Sequence, residues 1–378
     1  MNIADFKSGT EEDRYQYKAF LPKKICHEWI IADPALIEIL SRADRALGEL
    51  NAFALLIPDI DFFVRMYVAK EATQSSRIEG TQTNIEDAFK DARDLNLEKR
   101  NDWAEVQNYI KAISYAIKAL DKLPLSNRLL RQTHKILMSG VRGKHQQPGQ
   151  FRTSQNWIGV NFKQAVFIPP HHDHVPDLMS DLETFLHADH LYVPPLVRIA
   201  IGHYQFETIH PFLDGNGRLG RLMISLYLAS TGLLVKPALY LSDYFERNRS
   251  AYVDQLMAVR QGHHLREWLI FFLHGVAETA RSATDIFRNI LEIKGRIEQD
   301  TLPRFGSRRQ DHVQNLMRYL YSHPVVNVNK TAEFIGTTTN TANALIMDMV
   351  AHGVLTEITG QRRNRLFVFR EYLDLFKR

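Results

Sequence analysis

His210-Pro211-Phe212-Leu213-Asp214-Gly215-Asn216-Gly217-Arg218-Leu219-Gly220-Arg221 is the stretch that decides the fold. An apolar helical pattern runs into it and another runs out of it. Pro211 has no N–H to continue the first helix and restricts the residue before it, so that helix ends at His210. Asp-Gly-Asn-Gly is tight-turn chemistry, with backbone freedom at both glycines. The next helix starts directly afterwards, and its first N–H groups form a nest for an anion. Arg218 and Arg221 add two charges near that first turn, where the helix dipole disfavours cations. A polyphosphate, an anion with several anchor points, accounts for them. Asp214 suits a hard divalent cation, most naturally Mg²⁺ bridging phosphate oxygens. His210 alone in this stretch titrates near neutral pH, which suits a general base.

Outward from the loop the chain reads as mainly α. The helix before it spans about Pro194 to Thr208, with Val197, Ala200, Ile201, Tyr204 and Thr208 on one face. The helix after it spans Arg218 to Ser230 and is apolar nearly all round from Leu222 to Ala229, as a central buried helix is. Helical spacing predicts others over Pro34 to Leu50, about Asp59 to Ser76, Trp103 to Leu120, Ser126 to Met138, Val175 to Leu186, Asp243 to Arg260 and Leu265 to Leu291. Thr83 and Glu86 have capping-box spacing. Two β-prone runs, Asn156–Val160 and Ala165–Ile168, flank Asn161 to Gln164, a hairpin-length loop. One hairpin in a helical body is the expectation, packed on helices or receiving another strand, because an isolated hairpin is marginal.

At 378 residues and 45% apolar content the chain has enough material for two or three packed domains and is not a disordered protein. One cysteine, Cys26, excludes an intramolecular disulfide framework and a multi-thiolate zinc site. The chain shows no basic-then-apolar leader and no apolar run near the ~20 residues that span a bilayer, so a cytoplasmic protein with no membrane segment is expected. Of 47 Lys+Arg and 43 Asp+Glu, the last 75 residues hold 11 and 6, so all net basicity lies there. That tail suggests an acidic partner, nucleic acid first.

The loop matches at every specified position the signature His-Pro-Phe-x-Asp/Glu-Gly-Asn-Gly-Arg-x-x-Arg, and on it the chain resembles the Fic family. Pro148-Gly149 with Arg152, the Trp157 hairpin and the segment Tyr240 to Tyr252 carry the same resemblance. It implies a Fic-type helical bundle with a β-hairpin flap and a protein adenylyltransferase, transferring AMP from ATP to a Tyr, Thr or Ser hydroxyl of a target protein and of itself. By similarity His210 deprotonates the hydroxyl and Asp214 ligates Mg²⁺. Gly215, Asn216 and Gly217 form the anion hole, Arg218 contacts the phosphates and Arg221 holds the γ-phosphate. The flap, with Trp157, Ile158, Gly159, Val160, Val166, Phe167 and Ile168, takes a target segment as an added strand. Tyr244, Asn248 and Tyr252 recur every four residues on one helix face, as the adenosine end of the site or as core. Dimerisation is common in relatives, and a homodimer is an expected assembly.

Upstream, Ser75-Ser76-Arg77-Ile78-Glu79-Gly80 fits the family's inhibitory pattern Ser/Thr-x-x-x-Glu-Gly/Asn. The resemblance implies a brake in which Ser75, Glu79 and Gly80 belong to an inhibitory helix and Glu79 pairs with Arg221, keeping it from the γ-phosphate. Two alternatives stand beside this reading: removal of AMP from a modified protein, with Glu79 orienting a water, and a DNA-binding regulator that uses the domain as a nucleotide sensor.

His171-His172-Asp173-His174 invites a metal, but neighbouring side chains seldom converge, and Asp173 reads better as a helix cap. The expected domains are 1–100, an N-terminal helical region with the inhibitory helix; 101–295, catalytic; and 304–378, after a linker near Pro303 and Gly306. The last reads as short helix, turn, second helix and basic hairpin, and resembles a small α+β winged helix-turn-helix. Thr338, Asn340 and Asn343 near the second helix's start, with Arg362 and Arg363 in the wing, suit DNA contacts. A protein-interaction winged helix is the equal alternative.

Overall fold

The computed structural model describes residues 1–377 except 58–59, 141–145 and 307–308. The expected helix start at Asp59 lies outside the described residues. The chain opens with an antiparallel hairpin, β1 (Gly9–Asp13) and β2 (Lys18–Pro22), Gly9 opposite Pro22 and Asp13 opposite Lys18. Thr10-Glu11-Glu12-Asp13 has no apolar alternation to announce a strand. The expectation of a single hairpin in the helical body is therefore corrected, since the flap is the second; the third small sheet lies near the C-terminus, where a hairpin was expected.

Helices then build the body: α1 (Pro34–Leu56), α2 (Ile60–Ile78), α3 (Ile85–Ala88), α4 (Arg100–Ala119) and α5 (Asn127–Leu137). Asp33 caps α1, accepting the Leu36 N–H at 2.9 Å, and Ser126 caps α5. The cap of α3 is not the Thr83–Glu86 pair. Asn84 accepts the Asp87 N–H at 2.8 Å, while Glu86 turns to Lys90 and Arg370.

The flap strands β3 (Ile158–Gly159) and β4 (Ala165–Phe167) are shorter than the β-prone runs. Asn156 leaves the ladder because its amide bonds elsewhere, and a 3-10 turn over Phe162–Gln164, capped by Asn161, fills the loop. Next come α6 (Val175–His187), α7 (Pro195–Ile209), α8 (Asn216–Ser230), α9 (Ser242–Arg247), α10 (Arg249–Gly262) and α11 (Leu265–Arg296). The single helix expected over Asp243 to Arg260 is two. Asn248 breaks it at φ −112°, ψ 35°, its amide turned back onto the Tyr244 carbonyl at 2.9 Å. α1 lies along α11, and α7 and α8 pass through the core with almost every residue buried.

Past α11 the chain does not become free linker. It tightens through a π turn and a 3-10 turn, and Phe305 is buried against His352. α12 (Gln310–Ser322), β5 (Val325–Val326), α13 (Val328–Ile335), α14 (Thr339–Ala351), β6 (Thr356–Glu357), β7 (Phe367–Val368) and α15 (Arg370–Asp374) follow, the strands ordered β5-β7-β6. This unit packs on α2: Phe63 meets Tyr321 and Tyr372 at ring-centroid distances of 5.0 and 6.2 Å, and Tyr67 meets Phe376 at 5.2 Å. Tyr372 is fully buried and donates its hydroxyl to the Tyr321 carbonyl at 2.9 Å. Tyr372→Ala is expected to lower unfolding free energy by about 3–5 kcal/mol, the usual cost of emptying a buried aromatic site, measured by urea denaturation.

Candidate active site

α7 stops because His210 takes a left-handed conformation, φ 50° and ψ 60°, and Pro211 follows it. The turn is then pinned from inside. Asn216 Oδ1 accepts the Phe212 N–H at 2.8 Å, and its Nδ2 donates to the Phe212 carbonyl at 2.9 Å. Asp214 Oδ1 accepts the Gly215 N–H at 2.6 Å. Outside the loop, Arg152 braces it. The Arg152 Nε donates to the His210 carbonyl at 3.0 Å, and its Nη groups reach the carbonyls of Ser154, Ile209 and Pro170. Asn156 Nδ2 donates to the carbonyls of His210 (3.2 Å) and Phe212 (2.9 Å). His134 stacks on Phe212 at 3.8 Å and bonds through Nε2 to the Asp214 carbonyl at 2.9 Å. Its Nδ1 accepts the Gly149 N–H at 2.9 Å, so the imidazole is neutral with its proton on Nε2. Burial, ahead of any charge, pushes its pKa down to about 4.

Two arginines face the nest. Arg218 is buried, with Nη1 3.3 Å from Glu105 and Nη2 3.9 Å from the half-exposed Asp214 carboxylate. Arg221 is buried and spends three bonds on the α2 terminus: Nε to Ser75 Oγ at 2.9 Å, Nη2 to the Ser75 carbonyl at 2.9 Å and Nη2 to Glu79 Oε1 at 2.6 Å. Glu79 reaches this place because α2 ends in a Schellman turn. The Thr81 N–H bonds the Ser76 carbonyl at 3.2 Å, and Gly80 sits at φ +102°, which favours glycine. The carboxylate then lies over the first turn of α8: a Cβ on Gly217 would stand 2.4 Å from Glu79 Oε1. Burial opposes ionisation of Glu79, but Arg221, with Arg218 and His210, outweighs it and holds the carboxyl below the usual range.

His210 Nδ1 faces the Glu207 carbonyl at 3.4 Å, which leaves Nε2 as the ring nitrogen able to take up a proton. Burial first, then Arg260 and Arg152, push its pKa down to about 4, so the ring is neutral at pH 7. One turn earlier on α7 sits a group that nothing in the sequence singled out. Glu207 is buried with Oε1 unpaired, and burial, against the pull of Arg221, pushes its pKa up to about 7.

The remaining expected residues fall elsewhere. Tyr244, Asn248 and Tyr252 do not share one helix face, since the chain breaks at Asn248. Tyr252 is a core side chain, its hydroxyl 2.8 Å from His203 Nε2, and His203 Nδ1 in turn bonds the Gly220 carbonyl at 3.0 Å. On the flap Trp157, Val160 and Val166 are exposed, whereas Phe167 is buried. Asp173 does not cap α6. Its carboxylate turns to His171 at 3.0 Å and His172 at 3.5 Å, and these ligand atoms converge within 4.8 Å, with Arg14 beside them working against a cation. Thr338 caps α14, and Asn340, Asn343, Arg362 and Arg363 are exposed. No helix among the described residues is long and apolar enough to cross a membrane.

Two family models match this chain, the Fic/DOC family N-terminal region over residues 37–118 and the Fic/DOC family over residues 124–228. The chain thus carries the N-terminal region and the Fic domain of the Fic/DOC family. It is 31% identical over 100 residues to the protein adenylyltransferase fic-1 of Caenorhabditis elegans, covering 26% of this chain and 18% of that protein. With the protein adenylyltransferase Fic of Culex quinquefasciatus it shares 33% identity over 115 residues, 30% of this chain and 21% of that one. A probable protein adenylyltransferase of Aquifex aeolicus is 26% identical over 206 residues, 52% and 56% of the two chains. The chain thus spans about a fifth of the two animal relatives. A crystal structure of a Fic family protein from Desulfovibrio desulfuricans G20 superposes with a TM-score of 0.57 at 21% identity, covering 91% of this chain and 98% of that one, which establishes the shared fold.

Glu207 has a pH consequence of its own. Its folded pKa, about 7, lies above the ordinary 4.5, so the folded state holds a proton that the unfolded chain releases, and stability is lost as pH rises between those values. Glu207→Gln removes that loss. The variant is expected to gain thermal stability over wild type at pH 8 and none at pH 4, read from unfolding scans at the two pH values.

Proposed function

We propose that the protein transfers AMP from ATP to a Tyr, Thr or Ser hydroxyl of a target protein, itself included, and that Glu79 restrains the reaction. The observation that carries this reading is the Glu79 carboxylate at the N-terminal turn of α8, bonded to Arg221 at 2.6 Å. That turn, with its free N–H groups, is where a terminal phosphate would bind. A carboxylate and a phosphate compete for one guanidinium, because both use the same forked donor geometry.

In the reaction, the target hydroxyl oxygen attacks the α-phosphorus, the bond from that phosphorus to the bridging oxygen breaks, and pyrophosphate leaves. The hydroxyl proton passes to His210 Nε2, the nitrogen left free by the contact of Nδ1 with Glu207. Gly215, Asn216, Gly217 and Arg218 would bind the phosphates, and Arg221, once released, the γ-phosphate. The half-exposed Asp214 carboxylate fits a hard cation. Mg²⁺ held there would supply charge neutralisation on the phosphates. Arg152, Asn156 and His134 hold the loop backbone in place, which is the kind of positioning that phosphoryl transfer depends on. The flap, with Trp157, Val160 and Val166 exposed, would dock the target as an added strand.

For the C-terminal unit we propose a winged helix that binds DNA. The order α12, β5, α13, α14, β6, β7 supports it, as do the exposed Thr338, Asn340, Asn343, Arg362 and Arg363.

With labelled ATP, Glu79→Gly is expected to raise AMP incorporation into protein by about tenfold or more, the equivalent of ~1.4 kcal/mol of competition removed. His210→Ala in that background is expected to abolish it. No gain in Glu79→Gly would contradict the brake. Duplex DNA is expected to be retarded by the full chain at low salt. Replacing Arg362 and Arg363 with Gln would reduce the salt slope by about one for each phosphate that the arginines neutralise. Absence of retardation at low salt would leave the unit a protein-binding one.

A further inference from the structure

The N-terminal hairpin precedes residue 37, where the family match begins, and it touches the flap. The Phe20 N–H of β2 donates to the Ile168 carbonyl at the end of β4, at 3.0 Å. Tyr17 sets its ring edge-on to Phe162 in the flap loop at 5.1 Å and its hydroxyl 3.3 Å from Gln155 Oε1. Phe20 meets Phe167 at 5.8 Å. One backbone bond and two ring contacts thus bring β2 against the β4 side of the flap. β3, on the other side, has β4 as its only strand partner among the described residues.

The hairpin is tied down at both ends. Ser8, fully buried, sets its hydroxyl 2.8 Å from His263 Nδ1 and 3.3 Å from the Arg260 carbonyl. At the other end the Lys23 carbonyl accepts from the buried Gln205 at 2.9 Å, and the Ile25 N–H bonds Asp181 at 2.7 Å. Glu12 and Arg14 both reach His174 at 3.1 Å. Buried and partly buried bonds hold the segment before and after, which makes it a fixed part of the surface. A plug that leaves when a partner arrives would lack these ties.

Its turn carries Tyr15, 99% exposed and at φ +62°. A bulky side chain in the left-handed region is strained. The Asp13 side chain, accepting the Tyr15 N–H at 3.0 Å, holds the turn there, and the exposed ring stands in the same turn as Tyr17, which meets the flap. Trp157 (43% exposed), Val160 (88%) and Val166 (63%) extend the same apolar character over the flap.

We propose that the N-terminal hairpin is a fixed wall of the target dock: it closes the β4 side of the flap, so that an extended target segment adds along β3 and meets Tyr15 beyond it. The segment would bring unpaired backbone to the β3 edge and apolar side chains to Trp157, Val160 and Val166. This rests on the reading of the flap as the docking element of an AMP transferase.

The test uses the full chain carrying Glu79→Gly, labelled ATP and a cell extract as the source of acceptors. Tyr15→Gly relieves the positive φ and so leaves the fold intact. Tyr17→Ala removes the packing on Phe162 and the bond to Gln155. Thermal stabilisation by MgATP, measured in parallel, reports the nucleotide site. Each variant is expected to lower AMP transfer to extract proteins several-fold, with the MgATP stabilisation unchanged. Transfer that holds or rises in either variant overturns the wall, a rise being what release of a plug would give. Loss of MgATP stabilisation also overturns it, because the hairpin would then serve the nucleotide site. A Glu79→Gly parent that transfers no AMP to anything overturns the function itself, and is read before either variant is made.

Discussion

The contact between Glu79 and Arg221 is the constraint on which the site depends. A buried guanidinium needs a partner, since leaving it alone in the interior costs several kcal/mol. Arg221 satisfies three donor contacts on α2, two on Ser75 and one on Glu79. Only the last is ionic, and only Glu79 stands partly in solvent, with its side chain 40% exposed against 2% for Arg221. Arg221 is thus held by Ser75 on two further bonds, while its counter-ion stands at the solvent edge. An anion arriving at the turn meets a charge already oriented for it.

α2 reaches well beyond that contact. One turn before Ser75, the buried Glu71 accepts from Tyr109 at 2.9 Å and from Ser242 at 2.6 Å, and Tyr109 also donates to the Arg218 carbonyl at 3.1 Å. Burial raises the pKa of this carboxyl, with Ser242, Tyr109 and Arg221 opposing. Nearer its start, Phe63 and Tyr67 pack on aromatic rings of the C-terminal unit. A single helix therefore carries the C-terminal unit on its first half and the arginine's counter-ion just past its end.

The loop from His210 to Arg221 was legible because its chemistry is contiguous: the Pro stop, the Gly turn and the charges follow each other in the chain. Glu79 was legible only jointly with that loop, since a helix ending in Glu-Gly is common. The bracing residues were not legible in the same way. Arg152, Asn156 and His134 act on backbone carbonyls about 55 to 80 residues away, and carbonyl partners leave no mark on residue type. Glu207 lies on a helix face that looks like ordinary packing until Arg221 and Arg260 are brought near it. The break at Asn248 was missed because an Asn that caps its own preceding turn reads, by spacing alone, as one more helical position. The N-terminal hairpin was missed because its register comes from tertiary anchors and not from alternation along the strand.

The central claim is that Glu79 keeps Arg221 from the terminal phosphate. Calorimetric affinities for ATP and ADP, with Mg²⁺ present, test it most directly in wild type and in Glu79→Gly. The account predicts that wild type binds the two nucleotides alike, whereas Glu79→Gly binds ATP distinctly tighter than ADP, because only ATP has a γ-phosphate for the released guanidinium. An equal preference for ATP in both proteins would contradict it.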